Sequence, residues 1–345
     1  MLLIAALPLS ILAGCRDISV GTDTEFYGVP CFNMIVHYGE LGFIMGASEW
    51  EPVFTLCIYL GNLYNKTLNA GLFLVAYWTL TFAFLSIYLL REKISLSFGV
   101  FIYLLLFYNP SLNLMRQSMA MSVCMLSWCF LYKHKLLWCI IFMVLAYFCH
   151  HSAVIFAIPI FIYLYLNYTR KKKKKKKNKI KSRTNFTQFV YILAPLFVVL
   201  YDIILGVLIR VGIFSDHFNA YVDSDETNFS KTNVLSSLIL FLFVVLFAKK
   251  SHLEEKFGNY TKIIAYISFI LMFSSLVSAW AFRSSYYFLT LFPIIIPMMT
   301  QNLKNTSVKQ LQMVFNVFLV FLWFWDVVVN GSNSTYPYTS TILEF

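Results

Sequence analysis

Long apolar runs separated by short polar segments make up most of this chain. Many of these runs are about 17 to 25 residues long, the length that a helix needs to cross a bilayer. A membrane barrel would instead show alternating segments of about ten residues. We therefore predict membrane helices at 2–14, 68–90, 94–108, 112–132, 136–149, 152–168, 187–209, 233–248, 261–280, 286–300 and 308–330. A shorter helix, 51–64, is predicted to lie at the interface or to re-enter the membrane.

The composition agrees with this pattern. The chain has 345 residues, of which 59% are hydrophobic and only 12% are charged. A soluble globular domain carries about 25% charged residues. We predict an all-α, polytopic integral membrane protein with about 10–12 transmembrane helices. Residues 1–345 are expected to form a single membrane domain.

The basic residues are placed unevenly along the predicted loops. Of the 27 Lys and Arg residues, 21 fall on one alternating set of loops, which includes the tract RKKKKKKKNKIKSR. Because cytoplasmic loops carry the excess of Lys and Arg, this set is predicted to be cytoplasmic, with the N-terminus inside. The Lys-rich loop 169–185 is then cytoplasmic, whereas the polar loop 15–50 and the loop 210–232 are external.

The net charge of +11 follows from this topology. A solvated loop that contacts anionic lipid headgroups explains the Lys tract without nucleic acid, so no nucleic-acid partner is predicted. The seven cysteines lack metal-ligand spacing, and no Gly-rich phosphate loop occurs. Asp223 and Asp225 match the letters D-x-D, but they lie in an external loop that cytoplasmic nucleotide sugars do not reach. No metal and no cofactor is predicted.

Polar and charged residues gather on the predicted outer face. Each has an ordinary explanation when it is taken singly. Arg116 can extend to the headgroups, and Glu51 before Pro52 suits a helix start. Asp23 suits a turn, the histidines suit a helix end, and the tyrosines suit an aromatic belt. Taken together, they suggest a polar site that opens outward.

The same residues fall into motifs that resemble the EpsG/Wzy-type exopolysaccharide polymerases, integral membrane proteins of bacteria. The motifs appear in family order along nearly the whole chain. They are R-x4-G-T-D-x3-Y from Arg16 to Tyr27, E-P-x-F from Glu51, M-R-Q-S-x-A from Met115, H-x-S-A from His150, an Arg with following Tyr in FRSSYYF, and Pro337-Tyr338. The Lys tract is not part of this resemblance.

The resemblance implies an activity and a location. It implies a glycosyltransferase of GT-C-like architecture, which joins oligosaccharide repeat units carried on undecaprenyl diphosphate. The product would be an exopolysaccharide, capsule or O-antigen chain, made on the outer face of the bacterial cytoplasmic membrane. Membrane lipid, a flippase and a chain-length regulator are the further partners it implies. No nucleotide sugar is needed, because the diphosphate is itself the activated leaving group.

The residue types suit that chemistry. Guanidinium groups bind phosphate bidentately, so Arg116, Arg283 and Arg16 are the candidates for the diphosphate. An acceptor hydroxyl needs a general base, for which His150 is favoured over Asp23 because imidazole titrates near neutral pH. His151 is a second candidate, although the H-x-S-A spacing selects His150.

The remaining candidates are expected to bind substrate. They are Gln117, Glu51, Tyr27, Tyr286 and Tyr287. The tyrosines offer flat faces to sugar rings or hydroxyls to phosphate, and Glu51 or Asp23 is alternatively suited to orient the acceptor or to hold an arginine.

Three other functions remain open from the sequence. An O-antigen-ligase-like transferase would use the same donor with a different acceptor. A flippase or transporter for lipid-linked sugar would show internal repeats and broken midplane helices, and we detect no repeat. A non-catalytic assembly partner would not explain the clustered Arg, His and Asp.

Overall fold

The computed structural model describes residues 2–168, 231–250, 254–276, 278–300 and 306–344, with isolated residues between 188 and 196. This part of the chain is helical and contains no strand. Four of its helical stretches are long and apolar enough to cross a membrane, at Leu68–Leu89, Leu96–Asn113, Thr232–Lys249 and Lys309–Val329. Shorter apolar helices accompany them. The predicted all-α polytopic class is confirmed, whereas the number of crossings stays a prediction.

The helices are numbered here in chain order. The first nine are α1 (Leu2–Cys15), α2 (Val29–Tyr38), α3 (Leu41–Ala47), α4 (Pro52–Asn65), α5 (Leu68–Leu89), α6 (Leu96–Tyr103), α7 (Asn109–Asn113), α8 (Met115–Tyr132) and α9 (Leu136–Cys149). The others described are α10 (Ala157–Tyr168), α11 (Lys231–Lys250), α12 (Glu255–Ser274), α13 (Ala279–Leu289), α14 (Phe292–Thr300) and α15 (Thr306–Trp323). Short π-helical turns occupy Thr24–Gly28, Leu104–Tyr108 and Phe324–Val329. Short 3₁₀ turns occupy His151–Phe156 and Ser332–Ser334.

The chain divides into two compact units. The first consists of Met1–Ile155, Thr290–Gln301 and Leu311–Phe345. The second consists of Phe156–Leu289 and Asn302–Gln310. In the second unit α12 packs against α10, α11 and α13. The expectation of a single membrane domain concerns both units together and stays a prediction.

Helix α5 is the centre of the first unit, where α1, α4 and α8 pack against it. Glycines allow two of these approaches. A Cβ on Gly14 of α1 would lie 2.7 Å from the Cβ of Phe73, and one on Gly61 of α4 would lie 2.2 Å from the backbone nitrogen of Gly71. Close backbone contact of this kind is common between membrane helices, because lipid supplies little hydrophobic drive for their association. Helix α4 is thereby held tightly against the long helix α5.

Alanine at Gly61 is expected to destabilise the protein strongly. The added methyl group meets backbone atoms of Gly71 at 2.2 and 2.5 Å, so α4 must move away from α5. Overpacking costs about 1–3 kcal/mol, and rigid backbone neighbours place this site at the upper end. The apparent melting temperature of the detergent-solubilised protein measures the loss. Gly46→Ala is the control, since nothing lies within 4 Å of its new methyl group.

The segment expected as a polar external loop, 15–50, is largely helical. It contains the π-helical turn Thr24–Gly28 and helices α2 and α3. Apolar residues in VPCFNMIVHY and a Pro in its first turn favour helix α2, and the isolated Asp and Glu residues around it obscure that signal in the sequence. Helix α4 begins after Glu51 with Pro52 at its first position, as predicted.

Several predicted spans have different bounds in the structure. The run 94–108 continues as helix to Asn113, so the predicted span 112–132 begins instead after a break at Leu114. Predicted span 286–300 is two helices, α13 and α14, with Pro293 near the start of the second. Helix α12 overlaps the predicted span 261–280 but begins and ends about six residues earlier. The predicted loop 169–185, most of the predicted span 187–209, and the loop 210–232 apart from its last two residues fall outside the described residues.

Candidate functional site: a carboxylate shared by arginine and histidine

Glu51 lies immediately before helix α4, where the chain is extended (φ −64°, ψ 143°) and Pro52 starts the helix. The positive end of a helix dipole stabilises an acid at this position. The Glu51 side chain is only 5% exposed. Burial alone would raise the pKa of its carboxyl, but His150 and Arg116 outweigh burial, and the pKa lies well below its usual value. Glu51 is therefore ionised at neutral pH.

Arg116 lies in the first turn of α8, directly after the break at Leu114 (φ −81°, ψ 56°). A cation at the positive end of a helix is disfavoured by the dipole, so it needs a counter-charge. The Nη1 of Arg116 donates to Oε2 of Glu51 at 2.8 Å. Tyr27 covers the guanidinium, with 4.0 Å between Cζ and the ring centroid. This contact is a cation–π interaction, which strengthens when it is removed from water.

His150 follows the last residue of α9 and contacts the other oxygen of the same carboxylate. Its Nδ1 is hydrogen-bonded to Oε1 of Glu51. Because an ionised carboxylate only accepts hydrogen bonds, Nδ1 carries the hydrogen. In the neutral form of the ring, the lone pair is then on Nε2. Glu51 thus sets the tautomer of His150 and holds Arg116 at the same time.

Asp23 and Tyr27 reach this region from the segment between α1 and α2. Asp23 is 7% exposed, and its backbone N–H donates to Oδ1 of Asn113 at 3.1 Å. Thr22 donates to the same Oδ1 at 2.8 Å. Asn113 ends the short helix α7, so these bonds tie the Asp23 turn to the chain that leads into Arg116. The electrostatic field of Asp23 acts on both Arg116 and Arg16.

Arg16 is buried more deeply than Arg116. It is 2% exposed, and its guanidinium contacts Thr24, the carbonyl of Ala13 and the sulfur of Met115. Burial lowers the pKa of Arg16 to about 10, and nearby Tyr108, Tyr338 and Asp23 act in the opposite direction. The side chain therefore stays charged at neutral pH, in a position enclosed by protein.

The other predicted site residues have different environments. Gln117 is 3% exposed on α8, beside Arg116. His151 is exposed, with its ring 4.8 Å from that of Tyr147. Arg283, Tyr286 and Tyr287 lie on α13, which belongs to the second unit. There Arg283 is partly exposed, whereas Tyr286 and Tyr287 are buried.

The structure therefore brings together Glu51, Arg116, His150 and Tyr27 within the first unit, with Asp23 and Arg16 beside them. The sequence points to all six and offers Glu51 either as a substrate ligand or as a group that orients the acceptor or holds an arginine, but it does not pair Glu51 with His150. It missed Thr24, Asn113 and Met115, which hold the surrounding segments. Of these three, only Met115 carried a signal, as a letter of a family motif.

The fold defines an all-helical, polytopic membrane protein, and at one junction of its helices an arginine and a histidine share a buried carboxylate. A family model described as the EpsG family matches residues 1–340. The chain therefore belongs to the EpsG family, the family of exopolysaccharide/Wzy-type polymerases. No curated protein and no solved structure matches it.

Proposed function

We propose that this protein joins oligosaccharide repeat units carried on undecaprenyl diphosphate, on the outer face of the bacterial cytoplasmic membrane. One observation carries the proposal in a chain of this family: Glu51 binds Arg116 through one oxygen and His150 through the other. This arrangement combines a fixed cation for a diphosphate with an oriented imidazole for a hydroxyl. Both groups are needed when a sugar passes from a lipid diphosphate to an acceptor alcohol.

The reaction assigns a separate task to each group. The acceptor hydroxyl at the non-reducing end of one chain attacks the anomeric carbon of another. The bond between that carbon and the diphosphate oxygen breaks, and undecaprenyl diphosphate leaves with the electron pair. His150 takes the hydroxyl proton on Nε2, because Nδ1 already donates to Glu51. Glu51 is thus a positioning residue in this proposal, which follows the alternative that it holds an arginine rather than the expectation that it binds substrate.

Arg116 is proposed to bind the diphosphate. A guanidinium has five N–H donors in a planar fork, so the contact of Nη1 with Glu51 leaves further donors for phosphate oxygens. The ring of Tyr27 fixes the plane of that fork. Arg283, Tyr286 and Tyr287 remain proposed ligands for the diphosphate or the sugars. Asp23 remains a second candidate for the base, and Gln117 remains a candidate for substrate binding. Of the two histidines, the H-x-S-A spacing and the contact with Glu51 both favour His150, and His151 is proposed to take no direct part.

A reconstituted assay tests the function. Purified protein in lipid vesicles receives a lipid extract from host cells that lack the protein and accumulate lipid-linked repeat units. The expected products are a ladder of longer lipid-linked chains and free undecaprenyl diphosphate, without added nucleotide sugar. Transfer of single units to a different acceptor would contradict polymerisation in favour of ligation. Movement of the lipid across the bilayer without a new glycosidic bond would favour a flippase.

Lysine at Arg116 is expected to abolish most of the ladder. It keeps the positive charge but loses the planar fork, so the rate is expected to fall by about two orders of magnitude. Arg91→Lys is a matched control, because Arg91 also lies over a tyrosine ring, that of Tyr88, at 4.3 Å, but it is exposed, and the described ion pairs of Glu51 are with Arg116 and His150. Equal ladders from the two variants would contradict the assignment of Arg116.

A further inference from the structure

Residues 331–344, called the strap here, pair with the segment that follows helix α1. Asp17 is the main point of contact. Its backbone N–H donates to the carbonyl of Thr339 at 3.0 Å, and its Oδ1 accepts from the N–H and the hydroxyl of Thr341, both at 2.9 Å. Hydrogen bonding from Thr341 lowers the pKa of the Asp17 carboxyl, so these bonds persist at neutral pH.

The strap contacts the same segment on both sides of Asp17. Ser340 donates to the carbonyl of Cys15 at 2.6 Å, and Gly21 donates its N–H to the carbonyl of Ser334 at 2.8 Å. Gly21 has φ +82°, and a Cβ there would lie 2.5 Å from the carbonyl oxygen of Leu112. A glycine is therefore required where the segment passes between the strap and the chain before α8.

Tyr338 and Thr335 attach the strap to the helices. The Tyr338 hydroxyl donates to the carbonyl of Leu12 near the end of α1. The Thr335 hydroxyl accepts from Nδ2 of Asn109 at 3.0 Å, and the Oδ1 of Asn109 accepts from the indole of Trp323 at 2.9 Å. The strap is thus fixed at several points, and the segment that it covers cannot shift without breaking several hydrogen bonds.

Arg16 transmits this restraint to the candidate site. Its Nε and Nη2 contact the hydroxyl of Thr24 at 3.3 and 3.1 Å, and Nη2 contacts the sulfur of Met115 at 3.1 Å. Thr24 opens the π-helical turn that contains Tyr27, and Met115 immediately precedes Arg116. One buried side chain therefore connects the two elements that place a tyrosine ring over a guanidinium.

We propose that the strap and Arg16 position the Tyr27–Arg116 pair. Arg16 is then a positioning residue rather than a diphosphate ligand, as its 2% exposure indicates. The inference rests on the proposed function for its effect on turnover, whereas the strap contact is measured without any activity.

Cys15 provides that independent measurement. It is partly exposed, and its carbonyl accepts a hydrogen bond from Ser340 of the strap, whereas the other six cysteines are buried. Asp17→Ala is expected to speed the labelling of Cys15 by a water-soluble maleimide about tenfold. The variant lacks the two hydrogen bonds to Thr341, so local opening of the strap costs less free energy. Asp17→Asn keeps the Oδ1 acceptor and is expected to label nearly as slowly as the wild type. A Cys15→Ser variant measures the background labelling of the other cysteines.

The turnover rate of the variants tests whether the strap acts through the Tyr27–Arg116 pair. In the vesicle assay Asp17→Ala is expected to lower kcat about tenfold with KM unchanged. Asp17→Asn is expected to restore most of the loss. In a Tyr27→Leu background, Asp17→Ala is expected to add nothing, since the pair that it positions is already broken. Arg16→Met is expected to behave like Asp17→Ala, whereas a diphosphate ligand would raise KM.

The outcomes separate the two proposals. Unchanged labelling in Asp17→Ala would overturn the strap, whatever the assay gives. Faster labelling with normal kcat, or losses that add in the Tyr27→Leu background, would overturn the positioning role. If the wild-type protein makes no polymer, the proposed function fails and the positioning role fails with it, but Cys15 labelling still decides the strap contact.

Discussion

Alanine at Glu51 is expected to destabilise the protein by about 3–5 kcal/mol and to stop polymer formation. The substitution removes the counter-charge of Arg116, which is 14% exposed and lies in the unfavourable first turn of α8. A buried ion that loses its partner costs about this much, because the remaining charge is neither solvated nor paired. His150 loses its orientation at the same time. Apparent melting temperature in detergent and ladder length in the vesicle assay measure the two effects.

Glutamine at Glu51 separates these effects. It keeps the shape and one acceptor oxygen, so the protein is expected to fold while the rate falls about 10- to 100-fold. Glu40→Gln is the control, since Glu40 is exposed. Normal ladders from Glu51→Gln would contradict a role for the charge.

The pH dependence of stability provides a second test of the charge on Glu51. The folded-state pKa of Glu51 is lowered, so its contribution to stability is present above the usual carboxyl value of about 4.3. This contribution is lost as the pH falls through the lowered pKa. The difference in melting temperature between the wild type and Glu51→Gln is therefore expected to shrink on acidification. A constant difference would contradict the ionised pair.

His150→Ala is expected to lower the polymerisation rate by about 10²–10⁴, the usual contribution of general base catalysis. His151→Ala is the matched control, because the two residues are adjacent but only His150 contacts Glu51 in the described structure. His151 is exposed beside Tyr147, and its replacement is expected to change the rate less than about threefold.

Initial rates of polymerisation of the lipid-linked substrate in vesicles measure the activity of both histidine variants. Expression and melting temperature are compared first, so that a folding defect is not read as lost chemistry. A larger loss in His151→Ala than in His150→Ala would contradict the assignment. Equal losses in both would point to the turn 151–156 rather than to one imidazole.

The sequence predicted the fold class and the helix positions better than it predicted the contacts between side chains. Long apolar runs specify membrane helices because their length and composition are local properties. The helix start at Glu51 was also predictable, because an acid before a Pro is a local signal. By contrast, the bonds from Glu51 to Arg116 and His150 span 65 and 99 residues. Motif order suggested that these residues share a site, but spacing does not indicate which atoms meet.

Helices α2 and α3 show a different difficulty. Their short apolar stretches carry scattered polar residues. The segment was therefore predicted as a loop, from its position on the outer side of the predicted topology alone. The strap is a third case. Pro337-Tyr338 was noted only as letters of a motif, while the bonds of Asp17 to Thr341 join positions 324 residues apart. Contacts of this kind follow from the complete fold and have no local pattern.

The sharing of one carboxylate between an arginine and a histidine has an electrostatic consequence in the proposed reaction. With His150 neutral, Glu51 and Arg116 cancel, and the group has no net charge. In the proposed reaction His150 accepts a proton, so the same three side chains then carry one positive charge, close to where the departing diphosphate would gain negative charge. Deprotonation of the acceptor and stabilisation of the leaving group are then coupled through a single glutamate, so each step makes the other easier.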